Sequence, residues 1–243
     1  MIHPPSNRIK LLSIIICVLI SLNVLFYEIK LSKSAPSEQT YIGFYSDYPL
    51  EDRNLLLSQL SLDDSFSIHE LSADNFTFDQ LNRFSVIVLA CNDLNFSQVN
   101  AVAMFINSGG HLFLFPGLNL NASSYFSLFT SLDVIPSNIS NVSLGYSGFF
   151  QIENSTNLLV QGINWDSSPE IRTFVQLDLE DHVNVLLSER KSKNPLVFQS
   201  YFGQGSIIGT SILYSKQYNW DFQLWWFTPY WLYRTLSHFS NVS

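Results

Sequence analysis

Cys91 combines the chemistry of a strong nucleophile with a position where a nucleophile could act. It follows the apolar run at residues 86–90, which predicts a buried strand, so it falls where that strand ends. A thiolate there could attack a carbonyl carbon, with His111 or His182 as the base, and this gives one hypothesis, a cysteine-dependent hydrolase. The alternative is that Cys91 is a small apolar residue of the core.

One short stretch carries four side chains that could bind a metal or form an acid–base pair: Asp178, Glu180, Asp181 and His182. Alternation along a strand end would point them in different directions, so a solvated turn is the simpler interpretation. The other histidines, at positions 3, 69 and 238, lack the spacing of metal ligands. The sequence therefore predicts no metal site and no cofactor.

A serine and two tryptophans give the remaining chemical hypotheses. Ser147 lies in Gly-Tyr-Ser-Gly, which lacks the second glycine of a serine-hydrolase elbow because position 149 is phenylalanine. Exposed aromatic rings bind sugars, so a sugar-binding module is a further hypothesis, and it requires Trp220 or Trp225 to line a groove. A buried ring at these positions would argue against it.

The composition limits the classes of partner. Charged residues are 13% of the chain and the formal net charge is −8. A chain with so few basic residues cannot neutralise a run of phosphates, so nucleic acid is excluded as a partner. Hydrophobic residues make up 47%, which is ample for a packed core.

Residues 11–28 begin with an uncharged apolar run, preceded by a polar tail at 1–10 and followed by a polar linker at 29–40. The run is at the short end of what spans a bilayer, and it predicts one transmembrane helix. A cleaved signal peptide and a buried core helix are the alternatives. The basic residues Arg8 and Lys10 precede the span, which places the larger part outside the cytoplasm.

Strands and helices alternate in the first half of the remaining chain, 41–240. Continuous apolar runs at 86–90 and 111–115 predict central parallel strands, and a helix between them ends at Gly109 and Gly110. Short strands follow in the second half, two of them joined by a tight turn at 203–205. The prediction is an α/β fold, a doubly wound, mostly parallel sheet with extra β-strands, closed by an aromatic helix over 221–239.

The ordered motifs of 41–120 resemble the class I glutamine amidotransferase-like domain, which has a flavodoxin-like sheet. The motifs are Arg-Phe-Ser followed by VIVLA, then a helix and FINSGGHLFLFPG, then Asn119 and Asn121. The later stretch PLVFQSYFGQGSIIGTSILYS and the step Phe-Thr-Pro-Tyr at 227–230 resemble the version found in membrane proteins of bacterial aerotolerance-type operons. The resemblance covers most of 41–240.

The resemblance implies where a catalytic residue would stand. Active members of that superfamily hold a nucleophilic cysteine in the strand-to-helix elbow, and this chain has Pro116 at that corner. Proline supplies no nucleophile, and it also removes a backbone N–H that could stabilise an oxyanion. The catalytic cysteine is therefore absent from the elbow.

The sequence as a whole predicts a membrane-anchored, catalytically inactive domain that works by binding or as a scaffold. Its partners would be the lipid bilayer and another membrane or envelope protein. A small ligand would bind where the strands end, at a candidate site formed by these residues: Cys91, Asn92, Pro116, Gly117 and Asn119.

Overall fold

The computed structural model describes residues 39–92, 94–118, 122–134 and 143–240. The predicted tail, the predicted anchor at 11–28 and residues 29–38 of the predicted linker lie outside these ranges. Within the described residues, no helix has the length and apolarity needed to cross a bilayer.

The described elements follow one another as strands and helices. The strands are β1 (Thr40–Ser46), β2 (Phe66–Glu70), β3 (Val86–Cys91), β4 (His111–Pro116), β5 (Ser143–Gly148), β6 (Phe150–Ile152), β7 (Ile171–Gln176), β8 (Asn184–Glu189), β9 (Pro195–Phe202) and β10 (Gly205–Thr210). The α-helices are α1 (Leu50–Leu60), α2 (Phe78–Leu81), α3 (Phe96–Asn107), α4 (Ala122–Ser131), α5 (Lys216–Gln223) and α6 (Thr228–Ser240). Short 3₁₀ turns lie at Ala73–Asn75 and Trp165–Ser167.

The main sheet has the strand order β2-β1-β3-β4-β10-β9-β8-β6. Its first five strands are parallel and have the flavodoxin-like order, with β10 in the fifth place. Strands β9, β8 and β6 extend the sheet antiparallel, and β5 pairs with β7 in a separate ribbon. This confirms the predicted mixed α/β fold with additional strands in the second half, although the sequence analysis did not predict β5 and β6.

Helices cover the sheet on both faces, and this explains why β3 and β4 are apolar throughout. Phe113 and Phe115 pack with residues of α1, α5 and α6 on one face. Leu112 and Leu114 pack with residues of α2, α3 and α4 on the other. Every residue of β3 and β4 is buried.

The aromatic segment near the end of the described chain forms two helices, where the sequence predicted a single one over 221–239. Helix α5 ends at Gln223 and α6 begins at Thr228. The Thr228 hydroxyl donates a hydrogen bond of 2.6 Å to the Phe222 carbonyl, and this bond stabilises the turn between the two helices. Pro229 lies in the first turn of α6, where its missing N–H has no intrahelical partner to lose.

Candidate functional site

Strands β1, β3 and β4 all end at the carboxyl edge of the sheet. Because β2 lies on one side of β1 and β3 on the other, the chain leaves β1 and β3 in opposite directions, and a crevice opens between their ends. Ligands of flavodoxin-like folds bind at this point. The candidate residues Cys91, Asn92, Pro116 and Gly117 lie at this edge, as predicted, whereas Asn119 lies outside the described residues.

Cys91 is a buried thiol, with 5% of its surface exposed. It is the last residue of β3 and stands opposite Pro116 in the parallel register. Its surroundings are the apolar cluster on the α3 side of the sheet, which includes Leu89 and Val99. The placement is that of a core residue at a strand end.

The crevice between β1 and β3 is bridged by Asp47 and Asn92. One carboxylate oxygen of Asp47 accepts a hydrogen bond of 2.8 Å from the Asn92 backbone N–H, and the other accepts one of 2.9 Å from the Asn92 side-chain amide. The Asp47 N–H in turn donates to the Ala90 carbonyl at 3.2 Å. The polar groups at the mouth of the crevice therefore bind one another.

The predicted elbow after β4 is held by Tyr48 and by a close backbone contact. The Tyr48 hydroxyl is buried and donates to the Pro116 carbonyl. A Cβ added to Gly117 would come within 2.2 Å of the Asn92 Cα and 2.5 Å of the Cys91 carbonyl oxygen. Glycine at 117 thus allows the β4 end to pack directly on the β3 end.

A third group of polar residues joins α1 to the chain after β10, and no sequence motif predicted it. Asp52 is 4% exposed. Its carboxylate accepts hydrogen bonds from the Ser215 hydroxyl at 2.8 Å, the Lys216 N–H at 2.7 Å and the Gln223 amide at 3.1 Å. Because Lys216 is the first residue of α5, the carboxylate also satisfies a backbone N–H that has no partner within the helix.

Tyr214 and Gln59 extend this network into the core. The Tyr214 hydroxyl donates to the Gln59 side-chain oxygen, and the Gln59 amide donates to the Gln223 carbonyl at 2.9 Å. Burial raises the pKa of Tyr214 far above its ordinary value, and the charge of Asp52 raises it further. Tyr214 is therefore a neutral hydrogen-bond donor at any physiological pH.

Of the two bases proposed for Cys91, His111 lies at the other end of the strands. His111 pairs with Val86 at the start of β4, and Cys91 pairs with Pro116 at its end. Five residues of strand separate the two ends, which is about 16 Å. The Nε2 atom of His182 is 3.8 Å from a carboxylate oxygen of Asp133, and Asp133 follows the end of α4.

The remaining candidates are Trp220, Trp225 and Ser147, and each contacts another side chain of this chain. Trp225 is buried against Trp165, with ring centroids 5.4 Å apart, and Lys216 lies 5.1 Å over the Trp220 ring. Ser147 lies in β5 and donates to Glu170. In the part of the chain that the structure describes, no group of three His, Cys, Asp or Glu side chains could hold a metal ion.

Two histidines lie close together at the amino end of the sheet. His111 Nδ1 is 2.9 Å from the Ser206 hydroxyl, and its ring stacks on Phe239 with centroids 5.2 Å apart. Burial lowers the pKa of His111, and the neighbouring His238 lowers it further; burial also lowers the pKa of His238. Both rings are therefore favoured in their neutral form.

Comparison with known proteins gives similarity in structure only. No protein-family model matches the chain, and no curated protein matches it by sequence. Two Salmonella typhimurium structures, each described as a cytoplasmic protein, have TM-scores of 0.66, with 15% and 13% identity. Each alignment covers 82% of this chain, and 98% and 99% of the respective neighbour.

A protein from Bacteroides uniformis described as ThuA-like has a TM-score of 0.52 and 13% identity, over 86% of this chain and 92% of the neighbour. Identities this low show a shared fold alone. The fold is the class I glutamine amidotransferase-like one that the motifs predicted. The finer resemblance to the aerotolerance-operon version stays a prediction.

Replacing Tyr48 with phenylalanine tests the packing of the elbow. Tyr48→Phe removes the hydrogen bond to the Pro116 carbonyl, so we expect the free energy of unfolding to fall by about 1–2 kcal/mol. Urea denaturation followed by circular dichroism measures it. Tyr41→Phe is the matched control, since Tyr41 is 49% exposed. Equal stabilities of the two variants would show that the Tyr48 hydroxyl does not hold the elbow.

The lowered pKa values of His111 and His238 predict a loss of stability in mild acid. The unfolded chain binds protons at the ordinary histidine pKa of about 6.5, whereas the folded chain resists protonation until a lower pH. The histidine contribution to stability is therefore complete above pH ~6.5 and decreases as the pH falls below it. Urea denaturation between neutral pH and mild acid should give a shallower pH dependence for His238→Gln. An unchanged slope would contradict the assignment.

Proposed function

We propose that this chain is a non-catalytic binding domain with the class I glutamine amidotransferase-like fold. Residues 11–28 would anchor it in a membrane with the domain outside the cytoplasm, and it would hold another membrane or envelope protein in a complex. One observation carries the proposal: the carboxyl edge, where this fold places its chemistry, is occupied by contacts among the chain's own residues.

The elbow supports a non-catalytic role because Pro116 cannot act as a nucleophile. Its backbone also lacks the N–H that would stabilise an oxyanion. The Tyr48 hydroxyl, which could donate to an oxyanion, is bound to the Pro116 carbonyl. The elbow therefore lacks both a nucleophile and a donor from residue 116.

Cys91 does not replace the missing nucleophile in this proposal. A thiol must form a thiolate to attack, and that requires a nearby base or positive charge together with access to substrate. Cys91 is buried among apolar side chains, and His111 is about 16 Å away along the strands. The burial of Cys91 and its distance from His111 support a non-catalytic role.

The surface around the junction of α5 and α6 supports binding to a protein. Leu224 is 53% exposed, Trp226 is 72% exposed and Tyr230 is 43% exposed, so three large apolar side chains within seven residues contact solvent. Trp and Tyr are enriched among the residues that dominate binding energy at protein interfaces. We assign the partner contact to this surface.

Crosslinking the full chain in its native membranes, followed by affinity purification and mass spectrometry, tests the proposal. We expect one stoichiometric partner, lost on deleting residues 36–243 and reduced at least about tenfold by Trp226→Ala. Cys91→Ser should leave the capture unchanged. Phe96→Ala is the matched control, because Phe96 is 78% exposed but stands at the start of α3.

Two outcomes would contradict the proposal. The first is capture that is lost in Cys91→Ser while the variant stays folded, because a binding role does not need the thiol. The second is capture that Trp226→Ala and Phe96→Ala reduce equally, because the contact would then not lie at the α5–α6 surface.

A further inference from the structure

A cleft of about 410 Å³ lies between α6 and the segment that follows β6. This volume is within the range of small-molecule sites. At the end of α6, the Ser240 hydroxyl accepts a hydrogen bond of 3.0 Å from the Thr40 hydroxyl at the start of β1. The neighbouring Phe239 ring stacks on His111 at the start of β4. The end of the cleft near His238 is therefore close to the amino end of the sheet, and the cleft extends along α6 to Tyr230.

One part of the cleft is an apolar wall with two aromatic rings. Leu158 is 61% exposed, Tyr230 is 43% exposed and Tyr233 is 36% exposed. Tyr233 is held by a ring contact with Phe66, with centroids 5.9 Å apart. Such a wall suits a flat apolar ring, because aromatic side chains offer a large surface at low conformational cost.

Arg234 gives the cleft a positive charge in a fixed position. Its guanidinium lies 5.5 Å over the Tyr230 ring and donates to the Gln161 carbonyl. A guanidinium has five N–H donors, so these contacts orient the group and leave donors for a ligand. Among the described residues that line the cleft, it carries the only permanent charge.

His238 completes the cleft as a neutral group. Its Nε2 is 3.3 Å from the Gln199 amide nitrogen, and that amide also donates to the Tyr201 hydroxyl at 3.1 Å. Asn157 donates to the Gln199 side-chain oxygen at 3.2 Å, so Gln199, only 3% exposed, has a fixed orientation. Since an amide N–H can only donate, Nε2 of His238 accepts, which assigns its proton to Nδ1.

We infer that this cleft binds a small molecule with an apolar ring body and one anionic group. The ring packs between Leu158 and the two tyrosines, and the anion pairs with the Arg234 guanidinium. The inference goes beyond the proposed function and does not rest on it, although Tyr230 belongs both to this cleft and to the α5–α6 surface.

Two probes of nearly equal shape test the charge requirement. Naphthalene-2-sulfonate is anionic, and naphthalene-2-sulfonamide has the same ring system and no charge. Isothermal titration of the purified full chain in one constant buffer should show saturable binding of one sulfonate. We expect the sulfonamide to bind roughly ten- to a hundredfold more weakly, which is the range for a charged hydrogen bond.

Variants locate the two halves of the site. Arg234→Gln should weaken sulfonate binding roughly ten- to a hundredfold and leave sulfonamide binding unchanged. Arg234→Lys should retain part of the preference for the anion. Leu158→Ser should weaken both probes equally. Arg190→Gln is the control, since that arginine is more than half exposed and pairs with Asp166.

Three results would overturn the inference: no saturable binding of the sulfonate, equal affinity for the two probes, or sulfonate affinity that Arg234→Gln leaves unchanged. A thermal melt of each variant establishes that it is folded. If Arg234→Gln does not fold, Arg234→Lys and Leu158→Ser still decide, because sulfonate binding that neither variant weakens would place the probe elsewhere.

Discussion

The buried carboxylate of Asp52 is the interaction on which the carboxyl edge of this molecule depends. An ionised carboxylate in the core costs several kcal/mol unless donors satisfy it. Here three donors from the start and end of α5 surround a side chain of α1. The two helices are far apart in the chain, and the carboxylate fixes each against the other.

The fixed helices determine what the strand ends can do. With α1 held in place, Tyr48 just before it reaches the Pro116 carbonyl, and Asp47 reaches Asn92. The polar groups of these residues therefore bind one another at the ends of the strands. A superfold can carry a function unrelated to its usual chemistry, and the function must be argued from the site. The contacts at this site support the proposed binding role.

Local patterns predicted the middle of the sheet. Strands β3 and β4 are continuous apolar runs, so their burial on both faces of the sheet is predictable from the residues. The flavodoxin-like order came from the resemblance of the motifs. The structure and its fold neighbours confirm this part of the account.

The remaining features depend on contacts that leave no local signal. In the sequence, Asp52 and Asp47 are ordinary acidic residues near the start of a helix. Their hydrogen-bond partners lie more than 40 residues away along the chain. The break between α5 and α6 was missed because aromatic residues continue through it, although Pro229 is compatible with a new helix beginning there. The cleft on α6 combines residues from two distant segments, so no motif marks it.

The alkylation rate of Cys91 tests the central claim, that the carboxyl edge is filled by the chain's own residues, most directly. The measurement uses the full-length chain with Cys17→Ser, so that Cys91 is the one thiol, and compares iodoacetamide labelling in native buffer and in denaturant. We expect native labelling to be at least roughly a hundredfold slower, because the buried thiol reacts only after the structure opens. A native rate equal to or above that of the unfolded chain would show an accessible, activated thiol, and the carboxyl edge would then not be filled.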